Sequence, residues 1–165
     1  MTHPELILTA PAIVQFHVYA AVAAILLTPF TIFRRRRDRL HKMAGYAWVT
    51  AMFVTALSSM FIHGIQLVGP FSPIHLLSIL TFWGLIEGVR AAIRKDIRTH
   101  EKTMKSLAVG ALGIAGLFTL VPGRLLNRAV FGENGVEGFT AAVTLFVVVV
   151  ILQTVLQNRR RSRAG

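Results

Sequence analysis

Residues 11–42 read PAIVQFHVYAAVAAILLTPFTIFRRRRDRLHK. From Pro11 to Phe33 there is no Asp, Glu, Lys or Arg, and the run then meets Arg34, Arg35, Arg36 and Arg37. About 20 apolar residues cross a hydrocarbon core. Inside lipid a backbone must satisfy its own hydrogen bonds, so a run of this length is expected to form a helix. The arginine block is a stop signal that favours the cytoplasmic side. This one stretch selects an all-α integral membrane fold.

The rest of the chain agrees with it. Further apolar stretches cover residues 43–68, 74–93, 106–126 and 138–156, followed by a basic tail at 157–165. The fourth is glycine-rich, and reaches full length only when carried through Pro122 to Leu126. The reading is a single bundle of about five transmembrane helices, and no alternating pattern suggests a barrel. Composition points the same way. Of the 165 residues, 54% are hydrophobic and 15% charged, against about 25% charged in soluble domains.

Net charge is +11, and the positions of the charges say what it is for. Of the 18 Lys and Arg, all but Arg124 and Arg128 fall after the first stretch, around the end of the third, or after the fifth. The positive-inside rule places the N-terminus outside and the C-terminus in the cytoplasm. The expected location is the inner (cytoplasmic) membrane, crossed several times. The expected partners are the bilayer and its anionic lipid at the cytoplasmic face, with room for a homo-oligomer or a membrane partner subunit. Nucleic acid is not expected, because no aromatic residues interleave the charges as stacking platforms. Cysteine is absent, which removes disulfides, thiolate metal sites and Cys lipidation. No positive charge precedes the first apolar run, so a cleavable leader is not expected either.

Polar residues inside the apolar stretches are few. The second carries a stripe of Gly45, Met52, Ala56, Ser59 and His63. The first has His17 beside Ala20, Ala21, Ala24 and Thr28, and the third opens with His75 and Ser78. At 1.5 Å per residue, His17 and His63 both fall about 9 Å below the outer surface. An ionisable residue in the membrane marks a candidate site, although a neutral histidine also serves simply to bond one helix to another. Arg124, just after Pro122 and Gly123, is one of the two outer cations. His17, His63, His75 and Arg124 are therefore the candidate cofactor-binding residues, with haem b as the cofactor they would suit and no separate metal site. His41 and His100 recur in similar frames, Arg39-Leu40-His41-Lys42 and Arg98-Thr99-His100-Glu101. Glu87 is three residues from Arg90, a spacing that allows an ion pair. Gly84 and Gly88, with Gly110, Gly113 and Gly116, mark faces where helices approach closely. No phosphate loop, nucleophile elbow, HExxH or dinucleotide fingerprint occurs.

Four segments carry a resemblance: RDRLHKMAGYAWVTAMFVTALSSMFIH at 37–63, GPFSPIHLLSILT at 69–81, IRTHEKTM at 97–104, and AGLFTLVPGRLL at 115–126. Together they resemble the bacterial predicted membrane proteins catalogued as domain of unknown function 2306, over about Pro4 to Phe131. Lys42 stands where that family more often has Arg. The resemblance implies a small multi-span membrane protein and no established activity. Its histidines look loosely similar to those of small b-type cytochrome domains.

Three classes of function remain. One binds haem b or quinone through the outer-leaflet histidines in a redox role. The others are a non-catalytic accessory subunit and a small-solute transporter. Whether any catalysis occurs is left open by the sequence.

Overall fold

The apolar runs fold as helices in the computed structural model, which describes residues 3–32, 38–62 and 73–162, the side chains of 73, 133, 153 and 156–162 excepted. The elements are α1 (Glu5–Leu8), α2 (Ala12–Ile32), α3 (Arg39–Ser59), α4 (Pro73–Ile93), α5 (Ile97–Ser106), a π-helix (Leu107–Gly113), α6 (Ile114–Thr119), α7 (Leu125–Phe131), a 3-10 turn (Gly132–Asn134) and α8 (Gly135–Ser162). No strand occurs among the described residues. Three helical segments are long and apolar enough to cross a membrane: Ala12–Ile32, Ile74–Ile93 and Gly135–Leu152. Among the described residues, α3 and the interrupted fourth stretch do not join that set.

The chain divides into two compact units, one of Leu8–Ala115 and one of Met1–Ile7 with Gly116–Gly165. In the larger unit, α2 and α3 form one helical hairpin, while α4 packs on α5 and the π-helix. The core holds Ala24, Trp48, Met52, Leu85, Met104, Leu107 and Leu112. Ala24, with no exposed surface, leaves room for the Trp48 indole, itself 1% exposed. That ring donates through Nε1 to Thr28 Oγ1 at 3.0 Å, and the Thr28 hydroxyl donates to Ala24 O at 2.7 Å. A buried indole N–H needs such a partner. Between α3 and α4, Phe53 meets Phe82 edge to face, with ring centroids 5.2 Å apart. The other tryptophan, Trp83, is 69% exposed on α4.

Asp38 begins α3 by accepting the His41 backbone N–H at 3.0 Å, and Asp96 begins α5 by accepting that of Thr99 at 3.1 Å. These are N-caps. They explain why α3 starts at Arg39 rather than Met43. Its other end is Ser59, where the bonds tighten from Met60 N to Leu57 O and from Phe61 N to Ser58 O. The stripe of Met52, Ala56 and Ser59 is buried as the pattern implies, joined by Ala44 and Trp48. Gly45 lies off it, and a Cβ there would meet nothing within 4 Å.

The turn from α4 to α5 pairs Lys95 N with Ala92 O at 3.1 Å and Asp96 N with Ala91 O at 2.9 Å. This is a Schellman ending, with Lys95 at φ 61 in the position that glycine usually takes. Close approach is concentrated on α4. A Cβ on Gly84 would lie 2.8 Å from Leu107 Cδ2, and one on Gly88 would lie 2.0 Å from Met104 Cε. By contrast Gly110 and Gly116 face open space. The fourth stretch is not one α-helix, since it changes to a π-helix at Leu107 and ends before Pro122.

In the smaller unit, Asn127 is 1% exposed. Its Nδ2 donates to Leu120 O and to Gly135 O, both at 2.8 Å. Here α7 presses on the start of α8, because a Cβ on Gly138 would fall 2.2 Å from the Phe131 ring. Along α8, Leu145, Val147, Val148, Val149, Ile151, Leu152 and Val155 are exposed, an apolar surface suited to lipid.

Candidate functional site: the histidine and serine layer

Where α3 ends, side chains from three helices meet. A helix leaves its last carbonyls unpaired, and in apolar surroundings these need donors. His17 comes from the first half of α2. Its Nδ1 lies 3.0 Å from Thr55 O and 3.0 Å from Ser58 Oγ. The Ser58 hydroxyl proton already goes to Val54 O at 2.7 Å or Thr55 O at 3.1 Å. Both groups facing Nδ1 therefore act as acceptors, and Nδ1 carries the proton. In neutral His17 the basic nitrogen is then Nε2.

His75 is buried in the first turn of α4, and its Nε2 stands 3.3 Å from Met60 O. A carbonyl only accepts, so here Nε2 is the protonated nitrogen. His17 and His75 thus hold opposite tautomers, and each donates into the end of α3. Between them Ser59 and Ser78 are hydroxyl to hydroxyl in a buried contact. Ser59 Oγ also reaches Ala56 O at 2.8 Å, and Ser78 Oγ reaches Ile74 O at 3.0 Å. Each hydroxyl has one proton, so one of the pair donates to its neighbour while the other donates within its own helix.

Two of the four candidate binding residues, His17 and His75, therefore share one polar layer. His63 lies in 63–72, outside the described residues. Arg124 belongs to the smaller unit, where its guanidinium lies 4.5 Å above the Phe118 ring. A haem held by two histidines needs two unprotonated nitrogens aimed at one iron. His17 has a suitable nitrogen, whereas His75 uses Nε2 on Met60 O. His63, the other histidine of the expected pair, is not among the described residues. The described residues do not contain three or more His, Cys, Asp or Glu placed around one point for a metal ion.

Several charged groups elsewhere have structural partners. Glu87 pairs with Arg94 at 2.9 Å, seven residues along the turn, rather than with Arg90. Glu101 lies 3.5 Å from Lys105. His100 Nδ1 donates to Gly88 O at 2.9 Å, binding α5 to α4. Asp96 has its carboxyl held below the ordinary range, first by hydrogen bonds from Thr99. The similar frames around His41 and His100 are both Asp-capped starts, offset by one residue: His41 and Thr99 supply the capped N–H groups. Sequence reasoning missed Asn127 altogether. Its only signal was one amide within the apolar run Leu125-Leu126-Asn127.

A family model described as "Predicted membrane protein (DUF2306)" matches residues 14–157, a span that holds the whole histidine and serine layer. No curated protein and no solved structure shows a significant match.

Proposed function

The chain belongs to the DUF2306 family of predicted membrane proteins, and we propose that it acts as a non-catalytic, multi-pass accessory subunit of the inner membrane. Its histidine and serine layer is then a lock between helices. The carrying observation is that His17 and His75 both donate into the end of α3, from α2 and from α4. Five crossings, an outer N-terminus and a cytoplasmic C-terminus complete the reading, supported by the one-sided distribution of Lys and Arg. Anionic lipid at the cytoplasmic face is the expected partner of the basic clusters.

A second reading rests on the His17 tautomer. With Nδ1–H on a backbone carbonyl, the imidazole is oriented as metal-ligating histidines are, presenting Nε2. That nitrogen suits one bond, either to haem iron or from a quinol hydroxyl.

Spectra of the purified protein separate the two. As a lock, the protein is colourless when prepared from haem-replete cells and carries no stoichiometric quinone. His17→Ala and His75→Ala then each cost about 1 kcal/mol or less in detergent. A Soret band near one haem per chain, lost in His17→Ala and kept in His75→Ala, would overturn the lock in favour of the ligand. Co-purified quinone lost in the same variant would do the same.

A further inference from the structure

The smaller unit contains a second feature, independent of the histidine layer. The N-terminal segment is fastened to α7 by a bond from His3 N to Ala129 O at 3.0 Å. Beside that bond opens a cleft of about 340 Å³ lined by His3, Leu6, Arg128 and Gly132. The volume is within the range of small-ligand sites. Its lining has one permanent cation, one titratable imidazole, one apolar side chain, and a glycine at φ 56 that no larger residue readily replaces.

The charges around it are unevenly matched. His3 Nδ1 lies 2.8 Å from Glu5 Oε1. The Glu5 carboxyl is held below its ordinary value by a backbone N–H and then by the His3 ring, so it is ionised at neutral pH and balances whatever charge His3 carries. Arg128 has no such acid among the described residues. Arg124, one turn earlier, is drawn over the Phe118 ring. Arg128 therefore leaves a planar fork of donors at an open cleft with an apolar wall. Guanidinium forks match the oxygens of phosphate.

We propose that this cleft binds a phosphate-type anion through Arg128, with the His3 imidazolium, its Nδ1–H kept on Glu5, as a second donor through Nε2 and Leu6 against the apolar part of whatever carries it. The same chemistry is available from free phosphate and from the headgroup of an anionic phospholipid.

The test uses the full-length chain with two probes. One is inorganic phosphate, followed by 31P line broadening in lipid-free detergent. The other is phosphatidylglycerol against phosphatidylcholine, followed as retained lipid in native mass spectra. Arg128→Gln is expected to lower binding about tenfold or more, the worth of one charge-assisted hydrogen bond. Arg128→Lys recovers part of it, since the charge returns without the fork. Arg90→Gln, at an exposed cation in the larger unit, leaves it unchanged. A response to inorganic phosphate identifies a free-anion site. Selective retention of phosphatidylglycerol alone identifies the headgroup. Equal binding by wild type and Arg128→Gln for both probes would overturn the proposal, as would an equal loss in Arg90→Gln. Should Arg128→Gln fail to fold, His3→Ala carries the test, with a smaller loss expected and no loss refuting it.

Discussion

Replacing Gly88 by Ala inserts one methyl group where the structure leaves no room. The new Cβ would stand 2.0 Å from Met104 Cε, with Thr103 Cγ2 at 3.4 Å and Met104 Sδ at 3.5 Å. One mobile methyl is the main obstacle, and Met104 is 6% exposed, so it has little space to enter. Overpacking of this kind costs about 1–3 kcal/mol. Ala is better than Gly within a helix by about 0.8–1.0 kcal/mol. The net cost of Gly88→Ala is then about 0–2 kcal/mol. In a Met104→Ala background the obstacle is gone, and the same substitution changes sign, stabilising by up to about 1 kcal/mol. The coupling between the two sites is thus about 1–3 kcal/mol. Equilibrium unfolding of the four proteins of the cycle in detergent measures it. Gly45→Ala is the control, because its Cβ meets nothing within 4 Å, and it should stabilise in either background. Strict additivity of Gly88→Ala and Met104→Ala would refute the close approach of α4 and α5.

Two further outcomes are expected. Lys95→Gly should stabilise the protein by about 1 kcal/mol, because Lys95 adopts φ 61, a region that costs ordinary residues about 1–2 kcal/mol and glycine almost nothing; a lower melting temperature would contradict this. Asp96 has a folded pKa below its unfolded value, so its contribution is present above the unfolded pKa and is lost as pH falls through the folded one. Acid unfolding followed from pH 6 to about 2 should therefore show a shallower low-pH limb in Asp96→Ala than in the wild type, and superimposable limbs would remove the cap's role.

Helix positions on the larger unit were legible because the burden of lipid is simple: long uncharged runs, ended by arginine. The faces of those helices were legible too, since Met52, Ala56 and Ser59 do point inward. Helix ends were harder. The start of α3 depends on Asp38 capping His41 N, a local bond that overrides the apolar pattern. The fourth stretch reads as a continuous apolar run, yet it contains a π-helix at Leu107–Gly113, and glycine spacing carries no information about a change from i+4 to i+5 bonding. Bonding between helices was one of two roles the sequence offered for the histidines, but their partners and tautomers were not legible. Depth along a helix brings His17 and His63 to one level, with His75 shallower, but only the acceptors Thr55 O and Met60 O decide which ring nitrogen of His17 and of His75 is protonated. Asn127 escaped for a related reason. Its partners, Leu120 O and Gly135 O, are backbone atoms that no residue type announces.

The chain has two tryptophans, and their opposite settings make it self-reporting. Trp48 is 1% exposed with its N–H bonded, while Trp83 is 69% exposed on a helix long and apolar enough to span the bilayer. Brominated acyl chains quench indole emission on contact. In reconstituted vesicles they should extinguish the Trp83 signal and leave a residual emission from Trp48. Moving the bromine along the acyl chain then converts the quenching of Trp83 into its depth. The protein thus carries its own optical gauge of how α4 sits in the membrane, with an internal reference and no added label.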